Sequence, residues 1–305
     1  MDNAALYRAM WRIRRFEETV LENFPRGVFA GTTHTCLGQE ADAVGVITCL
    51  EEQDLVFSNH RGHGHFLAYG GDMRRLFAEL MGKASGVCGG RGGSQHLQWR
   101  GFYSNGVQGG ILPLAAGMAL AEKLKGSGAV TAAFLGDGTL GEGAVYEALN
   151  LAALWQAPLL VVVENNGIAQ TTPVERSLAG SIPARFAAFG IPAVEVDSSD
   201  VLEIRSAAAA ALQRLRNGQA PQALVLHTCR FGPHSKGDDT RPVELVAQMR
   251  RTRDPLHIQA QRLEQALLSH LQAEVEQEVH QAFEQALQDG PPQLEPVQGS
   301  EAQPW

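Results

Sequence analysis

The feature that most constrains this chain is a pair of polar turns set one βαβ unit apart. An apolar run of strand length, 129–135, ends in Gly136-Asp137-Gly138, and a second, 158–163, ends in Asn165-Asn166. Between them, 141–155 has helical spacing, with Val145, Leu149, Ala152 and Ala153 on one side. Strand, turn, helix, strand, turn places both polar turns at the carboxyl ends of neighbouring parallel strands, where open α/β sheets bind ligands. The glycines admit close backbone approach, and the start of the helix offers free N–H groups to an anion. Asp137 and Asn166 bring two hard oxygens of the kind that hold Mg²⁺ on a diphosphate. A lone Gly-Asp-Gly is a common turn; two turns closing the strands of one unit are a much narrower signal.

The rest of the chain bounds the answer. Its 305 residues allow one large domain or two small ones, and 44% hydrophobic content is that of a globular protein. A net charge of −8 gives no pull toward nucleic acid or anionic membrane. No uncharged apolar run reaches the roughly 18 residues of a membrane span, and residues 1–15 lack the apolar core of a signal peptide. The expected setting is the cytoplasm, with neither nucleic acid nor membrane as partner. Cys36, Cys49, Cys88 and Cys229 show no CxxC spacing, so buried thiols are expected rather than a zinc site.

An amphipathic helix is predicted over 4–24, with Leu6, Met10, Ile13, Phe16, Val20 and Phe24 inward and Arg8, Arg12, Arg14, Glu17, Glu18 and Glu22 outward. A polar loop, 31–40, carries His34 into a helix over 41–50. The short strand 54–58 closes in Asn59-His60-Arg61-Gly62-His63-Gly64-His65. Histidines and an arginine between glycines make a poor surface turn and a good anion or proton-transfer site. A zinc cluster competes, but no carboxylate or thiol nearby completes it. After a helix at 72–81 the glycine-rich stretch 83–93 reads either as a flexible loop or as one packing against cofactor or a neighbouring subunit. Ser104–Gly110 leads into a helix of small residues, 111–124. An irregular loop, 170–182, a short helix, 183–189, and a strand, 193–197, precede a helix over 200–216 capped by Asp200. A strand at 222–229 runs into a loop whose His234, Ser235 and Arg241 suit a phosphate. The organisation expected is an N-terminal helix (1–27), an α/β domain (28–250), a helical extension (251–289) and a disordered tail (290–305).

The paired turns resemble the thiamine diphosphate motif, in which the Asp, the second Asn and a carbonyl two residues on hold the metal: here Asp137, Asn166 and the carbonyl of Ile168. With Thr35–Glu40, His60–Gly64, Gly89–His96, Glu142-Gly143 and His234-Ser235 added, the chain to about Pro255 resembles the alpha subunit of the decarboxylating first component of 2-oxo acid and acetoin dehydrogenase complexes. The resemblance implies a thiamine diphosphate-binding α/β fold, a mainly parallel sheet with helices on both faces. It implies thiamine diphosphate and Mg²⁺ as cofactors. Arg61 and His234, with the neighbouring His60, would face the diphosphate. The backbone of Gly106 and Gln108 would hold the aminopyrimidine, and Gly136, Gly138 and Thr139 would line the diphosphate turn. His34 would lie near the reacting carbon, with His63 and His234 as further proton carriers and Ser235 on the active-site loop. It also implies that a separate beta subunit of an α2β2 tetramer supplies the glutamate that activates the aminopyrimidine. A lipoyl-bearing acyltransferase would take the acyl group made from a 2-oxo acid or acetoin. Three departures bear on substrate: His60 stands where relatives often carry Tyr, Thr32 where they carry an aromatic, and the 231–234 loop reads Phe-Gly-Pro-His. A two-subunit transketolase-like enzyme loading a carrier protein is the alternative, and a non-catalytic α/β protein the more distant one.

Overall fold

A computed structural model describes residues 1–235, 237 and 239–293. The chain opens with α1 (Asn3–Asn23), started by Asp2, whose Oδ1 accepts the Ala5 N–H at 2.8 Å. Its apolar stripe is buried, as the helical period demands. Two residues expected on its outer face are buried as well. Arg14 pairs with Glu40 at 2.6 Å and with Asp254 at 3.0 Å, and Glu17 accepts the Cys36 N–H at 3.0 Å. Periodicity sorts residues by polarity; it does not register that other polar elements will cover the helix and satisfy its charges.

Helix α2 (Glu40–Ile47) leads to β1 (Leu55–Ser58), α3 (Gly62–Ala68) and α4 (Met73–Leu80). Then come β2 (Gln98–Trp99), β3 (Phe102–Ser104), α5 (Gln108–Lys125), β4 (Thr131–Gly136), α6 (Gly143–Trp155) and β5 (Leu159–Asn165). A small hairpin, β6 (Ile168–Ala169) with β7 (Thr172–Pro173), precedes α7 (Ile182–Ala187), β8 (Ala193–Val196), α8 (Val201–Arg216) and β9 (Gln222–His227). Asp200 caps α8, as its sequence signalled. The chain closes with α9 (Val243–Arg253), α10 (Pro255–Ala260) and α11 (Gln265–Gln288).

The main sheet has the order β2-β3-β1-β4-β5-β9-β8. Every pairing in it is parallel except β2 with β3. Successive strand residues point to opposite faces, and both faces are covered. Ala132, Phe134, Leu160, Val162, Leu224 and Leu226 pack into the core with residues of α1, α2, α4, α8 and α11. Ala133, Leu135, Val161, Val163, Ala223 and Val225 pack into the core built with α5, α6 and α7. This is the expected architecture. Each fully buried Val, Leu or Phe contributes roughly 1.5–3 kcal/mol, so the sheet is well able to hold the loops at its rim.

A boundary between residues 250 and 251 falls inside α9, a helix the sequence reading did not assign. None of its residues is fully buried; Met249 packs part-buried against Leu37, Cys229 and Phe231. The C-terminal helix shares the main core: Leu271, Val275, Val279 and Phe283 join the cluster that contains Phe16, while Arg8 and Arg12 of α1 meet Glu278. Residues 290–293 carry no regular structure, and the remainder of the expected tail, with Lys236 and Asp238, lies outside the described residues. The cysteines are free; Cys36 and Cys229 are buried, Cys49 and Cys88 partly so. Among the described residues no helix is long and apolar enough to cross a membrane.

The glycine-rich stretch after α4 is organised by one buried carboxylate. Glu79 accepts the N–H groups of Cys88 (2.6 Å), Gly90 (3.0 Å), Gly92 (2.6 Å) and Gly93 (3.2 Å). Gly90 has φ +76°, and a Cβ there would come within 2.7 Å of the Lys83 carbonyl oxygen. Only glycine lets the backbone fold this closely around the carboxylate. Glu79→Ala should release the loop. Losing even one charge-assisted bond, about 1.5–3 kcal/mol, should raise the open population at least about tenfold, read as faster proteolytic cutting within 86–93.

Candidate active site

The strand order reverses between β1 and β4. From β1 the chain adds β3 on one side, then crosses back to place β4 on the other. Loops leaving the carboxyl ends of these strands diverge there and leave a crevice. The structure has a cleft of about 330 Å³ at that point. His60 and Arg61 reach it from the end of β1, Gly106, Val107 and Gln108 from the end of β3, and Gly136, Asp137, Gly138 and Thr139 from the end of β4. Asn166, Ile168, Ala169 and Gln170 follow β5, Glu142 precedes α6, and His234 follows β9. Every residue expected at the cofactor therefore lines one cleft. Val107, Glu142, Ala169 and Gln170 were not singled out as site residues. Glu142 had a signal, its place in the Glu-Gly step before a helix; its Oε1 accepts the Gly109 N–H at 3.1 Å and anchors the start of α5.

The electrostatics of the cleft are unbalanced in a definite direction. Asp137 is 2% exposed, its Oδ1 accepts the Gly138 N–H at 2.8 Å, and its Oδ2 is buried with no hydrogen-bond partner among the described residues. Burial pushes its carboxyl up, with backbone N–H groups pulling the other way. Asn166 Oδ1 accepts the Ile168 N–H at 3.2 Å, shaping the turn after β5. Across the cleft, Arg61 donates to the Thr35 carbonyl at 2.7 Å and the His234 carbonyl at 3.1 Å. Burial, then the Arg230 guanidinium, lowers Arg61 to about 9, so it stays cationic at neutral pH. Among the described residues its guanidinium meets two carbonyls and the His234 ring rather than a carboxylate, which leaves it able to attract an anion.

Three imidazoles cluster at the Arg61 side. The ring centroid of His34 lies 4.8 Å from that of His60 and 4.8 Å from that of His234. His34 Nδ1 faces Gln95 Nε2 at 3.0 Å. Burial, followed by the Arg61 charge, holds His60 well below the usual histidine range, so it is neutral. Its Nδ1 contacts Gln108 Nε2, and its Nε2 is buried without a partner among the described residues.

His63 is not brought to the cleft. It sits in α3, fully buried, with Nδ1 3.1 Å from Glu17 Oε2 and Nε2 2.8 Å from Ser94 Oγ. Both ring nitrogens are spent on structure, which withdraws it from the proton-carrying group. His65 is likewise internal, 2.8 Å from Ser58 Oγ. The supposed turn is the first turn of a helix, and that places these two rings on its inner side. Ser235 lines a neighbouring cleft with Leu21, Phe24, Pro25, Thr33 and Pro233 rather than the Asp137 cleft.

Fold and cleft define a doubly wound α/β protein with its ligand crevice at the topological switch point. The chain belongs to the dehydrogenase E1 component family, whose model matches residues 8–295. The alpha subunit of the pyruvate dehydrogenase E1 component of Zymomonas mobilis is 44% identical over 257 residues, 82% of this chain and 73% of the relative. The alpha subunit of acetoin:2,6-dichlorophenolindophenol oxidoreductase of Bacillus subtilis is 44% identical over 237 residues, 76% of this chain and 71% of the relative. The human somatic mitochondrial pyruvate dehydrogenase E1 alpha subunit is 34% identical over 304 residues, 96% of this chain and 78% of the relative.

Proposed function

We propose that the chain is the alpha subunit of a thiamine diphosphate- and Mg²⁺-dependent enzyme that decarboxylates a 2-oxo acid such as pyruvate, or cleaves acetoin, and passes the acyl group to a lipoyl arm. One observation carries this reading: loops from five strands, distant in sequence, meet in a single cleft with an orphaned carboxylate oxygen on one wall and a buried guanidinium on the other. The relatives' names, one for pyruvate and one for acetoin, support the two substrate classes.

The residues present fit the cofactor. Asp137 Oδ2, the Asn166 side chain and the Ile168 carbonyl form a hard-oxygen set that suits Mg²⁺, and a dication would satisfy the oxygen left unpaired among the described residues. Arg61, His60 and His234 would take the diphosphate. Gly138 keeps the floor open, since a Cβ there would lie 2.5 Å from Ala169 Cβ. The backbone of Gly106 and Gln108 would orient the aminopyrimidine. Thiamine diphosphate bound there supplies a nucleophilic carbon and an electron sink for the bond to carbon dioxide. His34 and His234 would carry protons at the reacting end, and Ser235 stands on the loop beside them.

Among the described residues the carboxylates lining the cleft are Asp137 and Glu142. Asp137 is committed to the metal and Glu142 to the Gly109 N–H. The glutamate that the aminopyrimidine needs is therefore assigned to a beta subunit, in an α2β2 assembly, with a lipoyl-bearing acyltransferase as acceptor. Purified with a beta-type partner, the pair should acylate a lipoyl domain from pyruvate, acetoin or a branched 2-oxo acid, and only with Mg²⁺. Either subunit alone should be at least about 100-fold slower, the scale of one lost acid–base group. No lipoyl acylation from any of these substrates, or full turnover by this chain alone, would overturn the reading.

A further inference from the structure

We propose that the Gln108 side chain is a positioning residue that locks His60 as a neutral Nε2–H donor facing an anionic oxygen in the cleft. The Gly136 backbone N–H can only donate, and it meets Gln108 Oε1 at 3.2 Å; the Thr139 hydroxyl meets the same oxygen at 2.8 Å. This fixes which end of the amide is oxygen. The amide nitrogen then faces His60 Nδ1. An amide NH₂ cannot accept, so Nδ1 must present its lone pair, and the single proton of a neutral imidazole sits on Nε2.

Among the described residues that proton has no taker, because His60 Nε2 is buried there without a partner. Burial and the nearby Arg61 keep the ring neutral, so it presents a hydrogen rather than a charge. Nearby, Arg61 adds a cation to the same wall. The pair is suited to an oxygen that is already negative.

The lock also decides between two readings of the three histidines. His34, His60 and His234 each offer a ring nitrogen, all within 4.8 Å of one another, a spacing that suggests a transition-metal site. Zinc–nitrogen bonds of about 2.0–2.1 Å need those nitrogens drawn to roughly 3.3 Å. They also need a lone pair on each. His60 Nδ1 spends its lone pair on Gln108 and its Nε2 carries the proton, so ligation requires breaking the amide contact and, through it, the bonds to Gly136 and Thr139. The cluster is therefore built to donate.

The tautomer lock rests on geometry alone; only the identity of the acceptor, diphosphate or substrate carboxylate, rests on the proposed function. The test is nitrogen NMR on the full-length chain with ¹⁵N-labelled histidine, His60 assigned with a His60→Asn variant. Wild type should show protonated Nε2 and unprotonated Nδ1 at pH 7.5. Gln108→Glu, which can only accept, should move the proton to Nδ1; Gln108→Leu, which can do neither, should give a mixture. The His63 signals, remote from Gln108, serve as the control that the fold survives. A wild-type ring protonated on Nδ1 or on both nitrogens overturns the proposal, as does a Gln108→Glu ring still protonated only on Nε2. A shift of the Nε2–H resonance on adding Mg²⁺ with inorganic diphosphate names the cofactor tail as acceptor. A shift only when pyruvate is added to the reconstituted holoenzyme names the substrate carboxylate. No shift with either overturns the anion-facing role. Because the tautomer is read without turnover, an inactive preparation leaves this test intact.

Discussion

Asp137→Asn should make the cofactor-free protein more stable at neutral pH while stripping it of Mg²⁺-dependent cofactor binding. Burial raises the Asp137 carboxyl above its unfolded value, so the fold penalises the charged form. That penalty is absent below the unfolded carboxylate pKa of about 3.9 and complete above the raised folded value. At pH 7 the wild type bears it and the variant does not. One orphaned buried oxygen costs about 1–3 kcal/mol, and the amide brings an unpaired donor of its own. The net gain should be near the lower end, a rise of about 2–4 °C in Tm for chains approaching this size. With Mg²⁺ and thiamine diphosphate added the order inverts: wild type gains stability and the variant does not. Affinity should fall by more than about 100-fold, since even the groups behind metal ligands are worth 10–100-fold. Differential scanning calorimetry with and without both ligands reads both arms. Unchanged affinity would remove Asp137 from the metal site.

The second large effect is on stability, from a residue outside the cleft lining. Arg14→Ala should cost about 3–5 kcal/mol, the price of leaving a buried charge without its partner. Arg14 is 5% exposed and Glu40 fully buried, and the pair is completed by Asp254. Arg12 lies on the same helix, but its partner Glu278 is 30% exposed in its side chain, and Arg12→Ala should cost less than about 1 kcal/mol. Arg14→Lys keeps the charge but not the fork, and should fall between. Urea midpoints at constant slope measure all three. Equal costs for Arg12 and Arg14 would refute the role assigned to burial. Cofactor affinity should drop with Arg14→Ala too, because Glu40 Oε2 accepts the Gly38 N–H at 3.0 Å and so holds the loop whose Thr35 carbonyl receives Arg61.

Much of this was legible in the sequence because it is local. Strand–turn–helix–strand around Asp137 and Asn166 is written in two continuous apolar runs with a period-3.6 pattern between them, and the turns fall where such units must place them. The small and polar residues at positions 60, 61, 106, 108, 166 and 234 could be gathered by resemblance, and the structure lines one cleft with them. What was not legible is non-local or depends on a single torsion. Arg14 and Glu17 sit on the polar side of α1, and nothing in the helix itself shows that Glu40, Cys36 and His63 will cover that side. His63 and His65 look like turn residues because glycines flank them, yet the glycines let α3 pack closely: a Cβ at Gly64 would lie 2.8 Å from Cys36 Sγ. The side chain of Gln108 was invisible for a different reason. Its neighbours Gly136, Thr139 and His60 come from other strands, and only the folded register brings them within reach.

The assembly of the cleft from five strand ends has a consequence for how much of the protein a cell contains. Its two sides meet only after β1 has paired with β4, Leu55 opposite Thr131, and β5 with β9, Leu160 opposite Gln222. Such long-range parallel pairings form late, so affinity for the cofactor arises at the end of the folding route and belongs to no fragment. A ligand that recognises only the finished chain adds about 2.7 kcal/mol when present at 100 times its Kd. With thiamine diphosphate as that ligand, the vitamin's supply should set the lifetime of the polypeptide: under thiamine starvation the subunit should be degraded faster, its abundance following the nutrient.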